Sequence, residues 1–132
     1  MFQMHYTPNG KAQSDRSSVG LIFAKGPPKH RVLTRPVMNR QFVTRMASIP
    51  AGADNHPLEA TAKFSDDVRI VSFMPHMHLR GKDFKYEAVA ADGKAETLLS
   101  IPRYNFNWQS IYRPKTPVLL TKGTTLHCLA HF

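Results

Sequence analysis

The sequence is poor in cysteine and lacks any long apolar run. Cys128 is the single cysteine among 132 residues, so no disulfide bond can form within the chain and cysteine pairing does not indicate a redox compartment. No window approaches the roughly 18 consecutive apolar residues of a membrane-spanning helix, and we predict no membrane partner. The first residues show no basic segment followed by an apolar core, so they predict no export signal.

Motifs of several common enzyme classes are absent as well. No serine lies in a Gly-x-Ser-x-Gly elbow, and no Cys-x-x-Cys pair exists. The glycines are too widely spaced for a phosphate-binding or dinucleotide-binding loop. The sequence therefore does not support a serine hydrolase, a zinc ribbon or a nucleotide-binding enzyme.

Acidic residues are few, since nine Asp and Glu stand against 18 Lys and Arg and give a formal net charge of +9. Clustered basic residues would favour binding to nucleic acid. Here they are scattered, Pro36 interrupts the most arginine-rich region, and no recognition-helix or aromatic RNA-binding pattern is present. We predict a solvated basic surface and no nucleic-acid partner.

Helical periodicity is also missing, whereas signals for short strands recur along the chain. Ten prolines and seven glycines leave little room for long helices. We predict an all-β fold, a jelly-roll β-sandwich of antiparallel strands, in a chain long enough for one domain. The predicted strands cover residues 2–6, 19–24, 58–64, 68–73, 84–90, 97–101, 118–120 and 124–132.

Residues 84–89 and 97–99 form the clearest hairpin signal, with Asp92-Gly93 at the turn between them. In the first arm, alternate residues beginning at Phe84 face one side and those beginning at Lys85 face the other. The chain begins and ends inside apparent strands, and we expect it to be a fragment of a longer protein or a truncated product.

The residues with the clearest chemical potential are His76 and His78, which stand one residue apart at the end of an apolar run. On a strand, side chains at i and i+2 project to the same side with Cα atoms roughly 6.6 Å apart, so both rings could bind one ion. Neutral imidazole binds zinc, iron and copper, so the spacing indicates a metal more strongly than it indicates which metal. The alternative is a pair of ordinary surface histidines. Met77 faces the opposite side and is predicted to lie in the core.

Other histidines carry weaker signals. His127 and His131 lie four residues apart on the last predicted strand and could share one of its faces, although solvent-facing strand histidines are the more common case. Considered alone, His5 fits an exposed strand residue. Cys128 has no motif that would make it a nucleophile and is predicted to be buried and inert.

Three segments together resemble one family, the copper type II ascorbate-dependent monooxygenases, and in particular its bacterial relatives. This group includes peptidylglycine alpha-hydroxylating monooxygenase and dopamine beta-hydroxylase. The segments are residues 2–10 (Phe-Gln-Met-His-Tyr-Thr-Pro-Asn-Gly), 74–84 (Met-Pro-His-Met-His-Leu-Arg-Gly-Lys-Asp-Phe) and 102–109 (Pro-Arg-Tyr-Asn-Phe-Asn-Trp-Gln). The resemblance runs from about residue 2 to the end of the chain.

The resemblance implies two jelly-roll domains, each with one copper. Residues 1–24 would be the end of the first copper domain and the entry to the second, and residues 25–132 the second domain, incomplete at its C-terminus. His76 and His78 match the two histidines of the second-domain copper, where oxygen and substrate meet. His5 matches the third ligand of the first-domain, electron-donating copper.

The chain also departs from the family pattern. An adjacent His-His pair that completes the first copper site is absent, as is a downstream segment that supplies a methionine to the second copper. Met74, Met77 and His131 are the candidate substitutes, although none matches the methionine position. Cys128 matches a family cysteine whose disulfide partner also lies downstream of residue 132.

The implied function is a copper-binding domain of a monooxygenase that hydroxylates a C–H bond with O2 and ascorbate as reductant, acting on a small-molecule or peptide-like substrate. Its upstream copper domain would belong to a parent protein, and export is expected for the family. Without that domain, we expect the isolated chain to be a poor catalyst. The alternative is a non-catalytic metal-binding or interaction β-sandwich. A cupin-type enzyme ranks lowest, because it would need a glutamate a few residues after His76 and His78, and Asp83 is the only acid in residues 79–86.

Overall fold

The structure of the chain, a computed structural model, describes residues 4–44 and 48–132. Backbone packing divides the chain into two units, residues 1–34 and 35–132. This division lies ten residues after the boundary at residue 24 that the family resemblance implies. That boundary separates domains of the family rather than packed units of this structure, and it stays a prediction.

The first unit contains no helix or strand among its described residues 4–34, so the strand predicted at 19–24 is wrong. A strand requires a hydrogen-bonded neighbour, and this unit offers none among those residues. Leu21 and Phe23 are instead 72% and 83% exposed. Of the strand predicted at 2–6, residues 2 and 3 lie outside the described part, and residues 4–6 form no strand.

The second unit holds all the regular structure of the described chain and confirms the all-β class. Its elements are α1 (Arg40–Val43), β1 (Pro57–Lys63), β2 (Val68–Ile70), β3 (Asp83–Val89), β4 (Ala95–Ile101), β5 (Val118–Leu120) and β6 (Thr125–His131). The bounds of β5 match the prediction, and those of the other five strands differ from it by at most three residues. No helix of the described residues is long and apolar enough to cross a membrane.

The strands form two antiparallel sheets in a sandwich-like arrangement. One sheet has the order β1-β6-β3-β4, and the other consists of β2 and β5. The first strand thus pairs with the last, and the second with the fifth, a nested pairing that brings distant segments together. An isolated antiparallel bridge joins Phe73, which follows β2, to Tyr112, which precedes β5.

The predicted hairpin is confirmed as β3 and β4. Gly93 lies in its turn with a φ of 85°, a conformation that glycine adopts without steric penalty. Tyr86 and Ala88 are buried on one face, while Lys85 and Glu87 lie on the other, as the alternation predicts. A register shift between Tyr86 and Glu87 bends the pair.

The core lies between the two sheets around Phe73, Tyr86, Leu126 and Cys128, which are at most 8% exposed. The Tyr86 ring stacks between Phe73 and Phe84, with centroid separations of 4.9 and 4.8 Å. Burial of these side chains is the main stabilising contribution to the sandwich.

Cys128 is buried, as predicted, at 4% exposure. Burial raises the pKa of its thiol to about 11, because the apolar surroundings disfavour the thiolate. We therefore expect iodoacetamide at pH 8.5 to alkylate Cys128 far more slowly in the folded chain than in urea. Equal alkylation rates in the two states would contradict this burial.

The raised pKa of Cys128 also makes stability depend on pH. Since the pKa is higher in the folded state, this thiol stabilises the fold below the unfolded pKa, and the contribution is lost as pH rises toward 11.

Candidate functional site

His76 and His78 lie on an extended segment between β2 and β3. The segment belongs to no strand, although strand geometry is the basis on which the two rings are expected to share one side. The alternation predicted for it nevertheless holds, because Phe73, Pro75 and Met77 are buried while both histidines are exposed. Met77 is 3% exposed and lies in the core, as predicted. A period of two thus orients the two rings even without a hydrogen-bonded neighbour.

The two imidazole rings are neighbours, with centroids 5.2 Å apart and an interplanar angle of 84°. With metal–nitrogen bonds of about 2.0–2.1 Å, each ring centre would lie roughly 3.2 Å from a shared ion, which allows at most roughly 6.4 Å between the centres. The observed separation is within this limit, so the spacing of the two rings is compatible with a shared metal ion bound by both imidazoles.

Gln109 sets the tautomer of His76. The Gln109 amide nitrogen donates to the Phe106 carbonyl at 2.9 Å, which directs its Oε1 atom toward Nδ1 of His76 at 2.6 Å. An amide oxygen only accepts hydrogen bonds, so Nδ1 of His76 carries the proton. Its Nε2 atom then presents a lone pair, as a metal-ligating histidine requires.

Tyr104 holds the backbone between the two histidines. Its hydroxyl donates to the Met77 carbonyl at 2.8 Å and accepts from the Met77 N–H at 3.0 Å. The Phe106 ring packs edge-on against His78 with centroids 6.0 Å apart. Residues 102–109 therefore form the support for residues 74–84, so two of the three segments that resemble the monooxygenase family meet in one place.

A tight turn after His78 leads into β3. The Gly81 N–H donates to the His78 carbonyl at 3.0 Å, and a Cβ atom at position 81 would lie only 2.8 Å from the Met77 Cβ. Glycine is therefore required for Met77 to stay in the core beneath the two rings. The following Lys82 N–H donates to the His131 carbonyl at 2.8 Å, which joins the turn to β6.

The hydrogen bond that His131 makes involves neither His76 nor His78. On β6 it bonds through Nδ1 to Asp83 of β3 at 2.7 Å. Among the described residues, no three His, Cys, Asp or Glu side chains come together in a way that could hold a metal ion. His131 is consequently not grouped with His76 and His78 into such a cluster.

His5 belongs to the first unit, where the adjacent Tyr6 donates to the Asp15 carboxylate at 2.8 Å.

Three residues near the paired histidines in sequence have structural roles. Tyr86 is in the core, Arg80 donates to the Ala53 carbonyl at 3.2 Å, and Asp83 binds His131.

Sequence reasoning missed the individual roles of Tyr104, Phe106 and Gln109. The only signal was their membership of the segment 102–109, which carried part of the family resemblance. Spacing could not reveal them, since Gln109 is 33 residues from His76.

Replacement of Gln109 by leucine tests its role directly. Without Oε1, neither the tautomer nor the ring orientation of His76 is fixed, so affinity for copper, the metal that the family resemblance implies, is expected to fall roughly 10- to 100-fold. Gln109→Glu keeps an acceptor oxygen and should retain most of the affinity. Competition titration with a chelator measures both, and an unchanged affinity in Gln109→Leu would contradict the role.

Comparison of the chain with protein-family models, curated proteins and solved structures finds no match. The fold and the site define the chain as an antiparallel, sandwich-like β-protein with an exposed pair of neighbouring histidines.

Proposed function

We propose that this chain is the copper-binding domain of an ascorbate-dependent monooxygenase that hydroxylates a C–H bond, with His76 and His78 as copper ligands. The observation that carries the proposal is the neighbouring pair of exposed imidazoles in which Gln109 leaves Nε2 of His76 free to bind. The assignment to monooxygenases rests on the resemblance of residues 2–10, 74–84 and 102–109.

Copper suits this donor set, because imidazole binds both of its common oxidation states. When bound, copper supplies one-electron chemistry toward O2, with ascorbate as the reductant. In the chain, Tyr104 holds the backbone between the two ligands, Gln109 orients His76, and the Phe106 ring packs against His78. Because both histidines lie on the surface, a substrate could reach them from solvent.

The proposal extends to the architecture. The nested pairing of β1 with β6 and β2 with β5 supports a jelly-roll sandwich. Residues 1–24 would then connect to an upstream copper domain of a parent protein, to which His5 would contribute a ligand. Export of that parent protein belongs to the same proposal.

A second candidate is a non-catalytic metal-binding sandwich. The observation in its favour is that no third His, Cys, Asp or Glu among the described residues joins His76 and His78. Two protein ligands hold a metal less tightly than three.

Copper loading tests the proposal. The chain is loaded with Cu(II) and desalted, and its copper content and electron paramagnetic resonance spectrum are measured. Trp108 is the single tryptophan, is 72% exposed and precedes Gln109, so quenching of its fluorescence should follow copper binding. One copper per chain with nitrogen ligation is the expected result, and no retained copper would overturn the proposal. Retained copper whose Cu(II) spectrum persists in excess ascorbate would favour the second candidate, because the proposed function requires that ascorbate can reduce the bound copper.

A further inference from the structure

The outer face of the four-stranded sheet carries a second arrangement of titratable groups that the copper proposal does not use. On β6, His127 lies between a glutamate of each neighbouring strand. Its Nε2 atom is 3.1 Å from Oε2 of Glu59 on β1, and its Nδ1 atom is 3.5 Å from Oε2 of Glu87 on β3. The sheet order β1-β6-β3 places His127 on the central strand of the three.

The chemistry of the imidazole decides what this arrangement requires. An ionised carboxylate can only accept hydrogen bonds, whereas a neutral imidazole has one N–H donor and one acceptor nitrogen. A neutral His127 can therefore satisfy one glutamate and turns a lone pair toward the other. Only the imidazolium form donates to both glutamates at once.

We propose that His127 is a proton-operated clamp that bonds the glutamates of both β1 and β3 when its ring is protonated and loses its hydrogen bond to one of them when its ring is neutral. The clamp is independent of the copper proposal, because His127 contacts neither His76 nor His78.

The charged and titratable groups on this face of the three strands bear on the clamp. They are Glu59 and Lys63 on β1, Asp83, Lys85 and Glu87 on β3, and His131 on β6 itself. The Lys85 ammonium is 3.0 Å from Glu87 and does not contact His127. Direct contact with two carboxylates outweighs these more distant cations, because ion pairs between exposed groups weaken with distance in water.

The Glu87 carboxylate stays ionised further into the acidic range than an ordinary glutamate. The pKa of Glu87 lies below its ordinary value, first because of its hydrogen bond with Lys85 and further because of His127. Imidazole side chains ordinarily change charge between pH 5 and 8, whereas a glutamate whose pKa is lowered takes up its proton only at more acidic pH. A comparison of pH 5.5 with pH 8.5 therefore spans the range in which the clamp is proposed to close.

Urea unfolding of the whole chain at pH 5.5 and pH 8.5 tests the clamp. His127→Gln should lower the folding equilibrium constant at pH 5.5 by roughly two- to five-fold more than at pH 8.5, because exposed pairs contribute modestly. His30→Gln changes an exposed histidine in the first unit and should show no such pH-dependent difference. An equal loss at both pH values in His127→Gln would overturn the proposal.

A second variant and a spectroscopic measurement keep the test decisive if His127→Gln does not fold. Glu59→Gln removes one acceptor charge and should show the same pH dependence with a smaller amplitude. In long-range proton–nitrogen correlation spectra at pH 5.5, both ring nitrogens of His127 should carry protons. A neutral His127 ring at that pH, or a pH-independent loss in Glu59→Gln, would each refute the clamp.

Discussion

Replacement of both His76 and His78 by alanine is expected to reduce copper binding from one ion per chain to none after desalting. The two rings are the proposed ligands and lie with centroids 5.2 Å apart, so their loss removes both imidazoles at that position. Elemental analysis, the Cu(II) spectrum and quenching of Trp108 fluorescence should all report the loss.

The matched control is the double variant His30→Ala and His56→Ala, which removes two histidines assigned no role. It should retain full copper stoichiometry. Single replacement of His131 or His5 by alanine should leave the tight site almost unchanged, because His131 binds Asp83 and His5 belongs to the other unit. Full copper content in the His76 and His78 double variant would show that the site is elsewhere.

Tyr104→Phe is expected to destabilise the second unit by about 1–3 kcal/mol, the usual cost of leaving buried polar groups without partners. The Tyr104 hydroxyl satisfies both the N–H and the carbonyl of Met77, whose residue is 3% exposed. The same change should weaken copper binding, because the backbone between His76 and His78 loses its anchor. Urea denaturation and a chelator competition titration measure the two effects.

Tyr112→Phe provides the control for this variant. It also removes a tyrosine hydroxyl from the second unit, but Tyr112 pairs with Phe73 through backbone atoms alone. We expect little change in stability or copper affinity. If the two variants behaved alike, the role given to the Tyr104 hydroxyl would be wrong.

The parts of the fold that local pattern determines could be predicted from the sequence. Alternation along residues 84–89 gave the buried side of β3, and the same period gave the shared side of His76 and His78. The strand predicted at 19–24 is wrong because an apolar, β-branched pattern shows only that these residues favour an extended conformation. A strand also needs a hydrogen-bonded neighbour, which the pattern cannot supply.

The support of the candidate site could not be predicted in the same way. Gln109 and Tyr104 reach the histidine segment from 33 and 27 residues away, and nothing in their local sequence specifies such a partner. The pairing of His131 with Asp83, across 48 residues, likewise depends on β6 lying beside β3.

The sequence by itself determined the all-β class, the short strands and the exposed pair of histidines, because each follows from side-chain alternation and turn residues within a few positions. Only the tertiary structure decided which strands are neighbours, which tautomer His76 adopts and which carboxylates surround His127. These features depend on contacts between distant segments, and such contacts are set by how the whole chain buries its core rather than by local preference.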